Sequence, residues 1–158
     1  NVSIEFPKNQ DRIQKQNIFL TGFSMGGANG LRVAGSGADI AGLICLFAPY
    51  YFRVSSKKLP FTINKQPIEY CDSITCQILI LQGTKDQITR VDQAILLQKK
   101  LKELRRKSEL IIYKDAHHGF TFKGLSPGNG LVYDKEITEK SLNDIEKFVF
   151  SNLRETVR

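Results

Sequence analysis

The fold is decided by residues 17–27, which have the sequence NIFLTGFSMGG. The stretch begins with apolar residues typical of a β-strand, passes through the pattern Gly-x-Ser-x-Gly, and continues as small and apolar residues at helical spacing up to Ala34. A strand, a sharp turn and a helix in that order are the structural context of a nucleophile elbow. We therefore expect Ser24 at the apex of the turn, in a strained backbone conformation and with its hydroxyl exposed.

The residues that flank Ser24 match the needs of such a turn. The strand and the helix pass close to each other, and we expect a Cβ at Gly22 or at Gly26 to collide there. Met25 follows the serine, and its backbone N–H is directed from the helix N-terminus toward an oxyanion forming on a substrate. The alternative is a glycine-rich turn before a helix that performs no chemistry.

Length and composition indicate one soluble globular domain comprising residues 1–158. The longest apolar run, residues 40–52, is broken by a proline and is too short to span a bilayer. The three cysteines cannot complete a disulfide framework and match no zinc pattern: Cys45, Cys71 and Cys76. We therefore expect no metal site and a reducing, cytoplasmic location.

Much of the net charge of +7 is concentrated in residues 99–107, which carry six basic side chains. One interpretation is a surface that binds RNA or a membrane. However, no aromatic residues alternate with these charges, as a base-stacking platform would require. The pattern favours the solvated face of an amphipathic helix, so we expect no nucleic-acid partner.

Apolar segments of strand length alternate with segments of helical period along the chain. Strands are predicted over residues 17–23, 40–48, 77–82 and 109–113, and helices from the elbow to residue 34 and over residues 89–107 and 135–153. Such alternation is typical of parallel β-α units, so the predicted fold class is α/β with a mostly parallel sheet and flanking helices. Residues 1–16 are polar, with a short helical turn predicted near residues 11–16. Residues 49–75 form a long irregular segment of the kind that is often functional.

A serine hydroxyl is a weak nucleophile until a general base removes its proton. The chain has only two histidines, His117 and His118, which are adjacent and follow the fourth predicted strand. Sites of α/β folds lie at the carboxyl ends of strands, so one of these two histidines is the candidate base for Ser24.

The base in turn needs a carboxylate that fixes its tautomer and stabilises the imidazolium. Asp86 is the preferred candidate, because it directly follows the third predicted strand in the segment Gly83-Thr84-Lys85-Asp86. Asp92 competes, but the pattern Thr89-x-x-Asp92 is interpreted as a capping box that opens the next helix. Asp115 is close to the histidines in sequence, yet nothing in its spacing directs it at them. The chain order of serine, aspartate and histidine is that of α/β-hydrolases.

Three segments carry a resemblance to the dienelactone hydrolase branch of the α/β-hydrolase superfamily. They are residues 22–27 (GFSMGG), 81–86 (LQGTKD) and 113–120 (YKDAHHGF), and the pair Tyr133-Asp134 before the last predicted helix is also similar. In that family the histidine that precedes Gly-Phe is the base, so the resemblance implies His118 in this role. The resemblance extends from the elbow to the end of the chain.

The chain departs from the family in two respects. Dienelactone hydrolases have a cysteine nucleophile where this chain has Ser24, which favours ordinary esters and resembles the phospholipase and carboxylesterase relatives. The family also begins with several strands and helices before the elbow, including the loop that supplies a second oxyanion N–H. We therefore expect residues 18–20 to lie on an exposed apolar sheet edge, which pairs with strands supplied upstream in a longer polypeptide or by a partner chain.

The expected function is hydrolysis of a small-molecule carboxylic ester, thioester or lactone through an acyl-enzyme, without a cofactor. Ser24 would be the nucleophile, His118 the base and Asp86 its orienting carboxylate. Tyr50 and Phe120 border the predicted site and are candidate substrate contacts, although core packing explains each of them equally well. The alternative is a catalytically inactive remnant or a binding module on a hydrolase scaffold.

Overall fold

The computed structural model describes residues 2–52, 64–124 and 130–155. Within them, four strands form one parallel sheet in the order β1-β2-β3-β4: β1 (Phe19–Phe23), β2 (Gly42–Leu46), β3 (Gln77–Gly83) and β4 (Ser108–Tyr113). Four α-helices accompany the sheet: α1 (Val2–Lys8), α2 (Met25–Gly35), α3 (Val91–Glu103) and α4 (Lys135–Ser151). No helix within the described ranges is both long and apolar enough to cross a membrane. The predicted α/β class, a parallel sheet with flanking helices, is confirmed.

The central strands β2 and β3 are buried because helices cover both faces of the sheet. Side chains alternate between the two faces along a strand. On one face, those of β2 and β3 form a core cluster with Leu31 of α2 and Leu97 of α3. On the other face, the alternate side chains form a second cluster with Phe148 of α4. The near-continuous apolar runs of these strands are therefore explained by burial on both sides.

The third helix is shorter than predicted. The pattern predicted helix over residues 89–107, whereas α3 is confined to Val91–Glu103. Arg105 adopts a left-handed conformation, with a φ of 54°, and the N–H of Arg106 donates to the carbonyl of Leu101 at 2.8 Å. These are the features of a Schellman motif, which ends a helix. The last three basic residues of the charged run therefore lie in the turn before β4.

The N-terminal segment contains more helix than its polar sequence predicted. Val2–Lys8 forms α1 although Pro7 lies within it, and the turn expected near residues 11–16 is a 3-10 helix at Lys15–Asn17. The buried side chain of Ile4 joins the core cluster on the α2 side of the sheet. Tertiary packing of an apolar side chain thus outweighs the weak local propensity of this segment.

The long segment over residues 49–75 is in part regular. Pro67–Ser73 forms a 3-10 helix, and the N–H of Gln66 just before it donates to the carboxylate of Glu69. Residues 53–63 of the segment lie outside the described part of the chain. The expectation of an irregular segment is therefore corrected for its C-terminal part.

Strand β1 lies at an edge of the sheet. It pairs with β2 on one side and with no strand of the described ranges on the other. Residues 18–20, which were expected to be exposed there, are half-buried. Ile18 and Leu20 pack against the core cluster beneath α2, and Phe19 contacts Phe148 edge-to-face at 6.2 Å between ring centroids. Among the described residues the outer backbone edge of β1 has no partner strand, but its apolar side chains are less exposed than predicted.

The three cysteines are buried free thiols: Cys45, Cys71 and Cys76. Burial raises the pKa of Cys71 to about 12 and that of Cys76 to about 11. Because the thiolate is the reactive form of cysteine, these side chains are packing groups at neutral pH.

Candidate active site

Ser24 occupies the single residue between the end of β1 and the start of α2. Its backbone has a φ of 48° and a ψ of −122°, a conformation that a non-glycine residue rarely adopts. The N–H of Ser24 donates to the carbonyl of Leu46 at 2.9 Å, and its own carbonyl accepts from the N–H of Gly27 at 3.0 Å. The neighbouring strand and the first turn of the helix therefore hold the strained residue in place.

The glycines of this turn have unequal roles. A Cβ on Gly22 would lie 2.4 Å from the carbonyl oxygen of Gly26, and one on Gly27 would lie 2.5 Å from the Cβ of Ala48. A Cβ on Gly26 would meet nothing within 4 Å, so the expected collision at that position is wrong. The reason is that the carbonyl of Gly26, and not its α-carbon, is what approaches the strand.

His118 lies in the loop that follows β4, with its side chain buried. Its Nε2 is 3.0 Å from Ser24 Oγ, and its Nδ1 is 2.9 Å from Asp86 Oδ2. The loop is fixed from the other side, since the N–H of Val132 donates to the carbonyl of His118 at 3.2 Å. The structure thus brings Ser24, Asp86 and His118 together, whereas the adjacent His117 is half-buried and has no contact with these groups in the described residues.

Asp86 follows β3 and accepts hydrogen bonds at both carboxylate oxygens. Oδ1 accepts from the N–H groups of Ile88, at 2.9 Å, and Thr89, at 2.8 Å. Oδ2 accepts from the Gln82 amide at 3.0 Å and the Thr89 hydroxyl at 2.8 Å, in addition to His118. The Asp86 side chain is fully buried, and its carboxylate is therefore surrounded by donors.

These donors decide the charge of Asp86. Burial pushes the pKa of Asp86 upward, but the hydrogen bonds from His118 and Thr89 outweigh it and hold the pKa below its ordinary value. The ionised carboxylate therefore stabilises the fold above the ordinary carboxyl pKa of about 4. That contribution is lost as the pH falls through the lowered pKa of the folded state.

The two competing carboxylates lie elsewhere. α3 has Arg90 at its N-cap, so the capping box predicted from Thr89 and Asp92 is wrong. Thr89 turns inward because Asp86 and a buried backbone carbonyl accept its hydroxyl, and Asp92 pairs with Arg90 on the surface at 3.4 Å. Asp115 is exposed and pairs with Lys85 at 3.1 Å.

Phe47 packs directly on the imidazole, a contact that sequence reasoning missed. It follows β2 with a φ of 40°, and its ring centroid is 4.9 Å from that of His118. Phe23 and Phe122 surround it at 5.9 and 5.5 Å. Since Phe47 lies inside a long apolar run, its sequence signal is that of an ordinary core residue. The polar side chains of Gln82 and Thr89 were missed as well, although a glutamine at the end of a buried strand is an unusual feature.

The two predicted substrate contacts are fully buried in the structure. Tyr50 belongs to the core cluster on the α2 side of the sheet. Phe120 packs between Phe47 and Tyr113, at 5.1 and 5.5 Å between ring centroids. A substrate-binding role for either residue stays a prediction, and the surroundings of both are those of core residues.

Met25 is the first residue of α2. The N–H groups in the first turn of a helix have no intrahelical acceptor, so they are available to an external one. The N–H of Met25 therefore remains the candidate oxyanion donor next to Ser24.

Comparison with solved structures agrees with this architecture. A dienelactone hydrolase-like promiscuous phosphotriesterase from metagenomic libraries has a TM-score of 0.76 at 16% identity, covering 95% of this chain and 58% of that protein. Acylaminoacyl peptidase of Pyrococcus horikoshii has a TM-score of 0.76 at 18% identity, covering 96% of this chain and 26% of the peptidase. A Klebsiella pneumoniae protein assigned to the dienelactone hydrolases has a TM-score of 0.72 at 17% identity, covering 87% of this chain and 53% of its own. The chain thus spans little more than half of the first and third of these proteins.

The parallel sheet, the elbow and the residues gathered at its strand ends define an α/β-hydrolase fold. The chain belongs to the dienelactone hydrolase family, whose sequence profile matches residues 1–152. This family and the similar solved structures consist of hydrolase enzymes. A comparison with curated protein sequences gave no match.

The unequal glycines give a testable prediction. Gly22→Ala should destabilise the protein by about 1–3 kcal/mol, because its methyl group would overlap a backbone oxygen that cannot move without shifting α2. Gly26→Ala is the matched control and should leave the unfolding free energy within about 0.5 kcal/mol of the parent. Urea denaturation of the two variants measures both values. Equal destabilisation by the two substitutions would contradict the geometry of the turn.

Proposed function

We propose that this chain performs the chemistry of a serine hydrolase acting on carboxylic esters, thioesters or lactones. The observation that carries the proposal is the continuous contact from Ser24 Oγ through the His118 imidazole to Asp86 Oδ2, at 3.0 and 2.9 Å. These distances suit proton transfer from the serine and orientation of the base by the carboxylate. Membership of a hydrolase family supports the type of reaction.

In the proposed reaction, Ser24 Oγ attacks the substrate carbonyl carbon while His118 Nε2 takes the hydroxyl proton. The carbonyl oxygen becomes an oxyanion, which the N–H of Met25 stabilises. The bond to the leaving group then breaks, and His118 returns its proton to the leaving oxygen or sulfur. A water molecule deprotonated by His118 hydrolyses the acyl-serine ester, which releases the acid and regenerates Ser24. Asp86 stabilises the imidazolium in both halves of the reaction.

A second candidate is a catalytically inactive hydrolase scaffold that serves as a binding module. It is favoured by one observation, that both predicted substrate contacts, Tyr50 and Phe120, are fully buried. A fluorophosphonate probe separates the two candidates, because it labels a serine only when a base activates it. Labelling at Ser24 supports the hydrolase, and an unlabelled folded protein supports the binding module.

The assignment of nucleophile and base predicts a specific pattern of variants. Ser24→Ala and His118→Ala should each abolish hydrolysis of a short activated ester, since the members of a triad act as a unit. His117→Ala is the matched control and should retain most of the activity. Turnover measured on purified, folded variants provides the comparison. An inactive His117→Ala variant beside an active His118→Ala variant would reverse the assignment of the base.

The carboxylate can be tested in the same assay. Asp86→Asn should lower turnover by roughly 10⁴-fold, because a neutral amide no longer holds the required tautomer of the base. Asp92→Asn should change activity little, since Asp92 pairs with Arg90 on the protein surface. Circular dichroism establishes that each variant is folded before turnover is compared. A working Asp86→Asn enzyme would remove Asp86 from the mechanism.

The outer edge of β1, which has no partner strand in the part of the chain that the structure describes, supports a further part of the proposal. A parallel strand with one free side presents N–H and C=O groups that favour pairing with another strand. We therefore propose that β1 pairs with a strand from elsewhere in a longer polypeptide or from a partner chain.

The three buried free thiols favour a reducing compartment such as the cytoplasm for this protein.

The free edge predicts how the 158-residue chain behaves when purified alone. It should associate through β1 or aggregate, and so elute in size-exclusion chromatography with light scattering above the 17.9 kDa of a single chain. Replacement of the edge residue Thr21 by Pro, which removes a backbone donor, should reduce this association. A soluble, catalytically active monomer of 17.9 kDa would disprove the proposed pairing.

A further inference from the structure

Thr89 lies among the polar groups behind the candidate triad, although the proposed mechanism gives it no role. Its hydroxyl oxygen is 2.8 Å from Asp86 Oδ2, 3.1 Å from His118 Nδ1 and 2.9 Å from the carbonyl oxygen of Phe47. The residue is 3% exposed, so bulk water cannot take over these contacts. The Thr89 hydroxyl thus contacts both the orienting carboxylate and the candidate base.

The single proton of the Thr89 hydroxyl limits how these contacts are made. Asp86 Oδ2 and the carbonyl of Phe47 can only accept, so the proton lies toward them. The lone pairs of the Thr89 oxygen are then left for His118 Nδ1, which also faces Asp86 Oδ2 at 2.9 Å. Two acceptor oxygens beside one ring nitrogen require the proton on Nδ1. In the neutral imidazole with its proton on Nδ1, the other ring nitrogen, Nε2, is the acceptor that faces Ser24.

Gln82 fixes the same turn from the end of β3. Its amide nitrogen donates to Asp86 Oδ2 at 3.0 Å and to the backbone carbonyl of Thr89 at 2.7 Å. The reverse amide orientation would direct an oxygen at the carboxylate, so the hydrogen-bond network determines this one. Gln82 therefore ties the aspartate side chain and the threonine backbone together.

The contact with Phe47 anchors the threonine to the sheet. Phe47 follows β2 in a left-handed conformation, and its N–H donates to the carbonyl of Leu81 in β3 at 2.8 Å. Its side chain is fully buried against His118. The backbone carbonyl of Phe47, which accepts from the Thr89 hydroxyl, is consequently held in place by the sheet and the core.

We propose that Thr89 is a positioning residue of the hydrolytic reaction, an inference that rests on the proposed function. Its hydroxyl holds Asp86 Oδ2 and the Nδ1-protonated tautomer of His118 in the geometry that leaves Nε2 free to take the proton of Ser24. Thr89 itself touches neither the substrate nor the reacting atoms. It acts through the carboxylate and the imidazole.

Replacement of the hydroxyl tests this role kinetically. Thr89→Val keeps the shape and removes the hydroxyl, and it should lower kcat for a short activated ester about tenfold with KM unchanged. Thr89→Ser keeps the hydroxyl and should retain most of kcat. Thr84→Val is the matched control in the same loop, because the Thr84 hydroxyl accepts from the N–H of Asp115 at 2.8 Å instead. Thr89→Ser losing as much kcat as Thr89→Val would assign the effect to methyl packing and overturn the proposal.

A second readout does not depend on turnover. In a His117→Gln background His118 is the only imidazole of the chain, so its Nδ1–H signal in proton NMR is assigned directly. Thr89→Val and the smaller Thr89→Ala should both shift this signal, whereas Thr84→Val should not. An unshifted signal in folded Thr89 variants overturns the role of Thr89. A parent protein that neither hydrolyses esters nor reacts with the fluorophosphonate overturns the proposed function instead, whatever the NMR signal shows.

Discussion

The geometry of the site depends on the close approach of β1 to α2 at Gly22. A methyl group there would lie 2.4 Å from the carbonyl oxygen of Gly26, so strand and helix can only meet this closely across a glycine. Because α2 starts directly beside β1, the chain reverses at one residue, and Ser24 adopts its φ of 48°. The N–H of Ser24 also donates to the carbonyl of Leu46 in β2, so the sheet holds the serine in this conformation. The strain is thus stored in a turn that the core holds on both sides.

The parallel topology explains why residues distant in sequence meet at this turn. All four strands point in one direction, so their carboxyl ends lie along one edge of the sheet. Ser24 follows β1, Phe47 follows β2, Asp86 follows β3 and His118 lies in the loop after β4. Phe47 follows the strand that lies between β1 and β3, and its ring packs against the imidazole that bridges the serine and the aspartate. A parallel sheet with its strands in sequence order therefore places these four residues near one another at one edge of the sheet.

Those parts of the fold and site that depend on local pattern were predictable from the sequence. The apolar runs marked all four strands, and the glycine-flanked serine marked the elbow. Long-range contacts decided the rest. Thr89 has the sequence signature of a helix cap, but its hydroxyl turns inward to a buried carboxylate and to the backbone carbonyl of Phe47. α3 ends early because Arg105 adopts a left-handed conformation. A glycine usually marks such a helix end in a sequence, but here the position is an arginine. The spacing of the residues left both His117 and His118 open as the base, and the choice of His118 depended on the family resemblance.

The network around Asp86 is built for one protonation pattern. Moving a carboxylate out of water is unfavourable by several kcal/mol, whereas each hydrogen bond to a charged group returns about 1.5–3 kcal/mol. Five donors therefore suffice to keep the buried carboxylate ionised. They come from Ile88, Gln82, His118 and twice from Thr89. Every one of these contacts points a hydrogen at an oxygen. An amide in place of the carboxylate would have to direct its own N–H groups at one of these donors. The imidazole could accept from such an N–H at Nδ1 only with its own proton on Nε2, which would leave the serine without an acceptor. The carboxylate that stabilises the fold and the tautomer that activates the serine are thus consequences of the same set of hydrogen bonds.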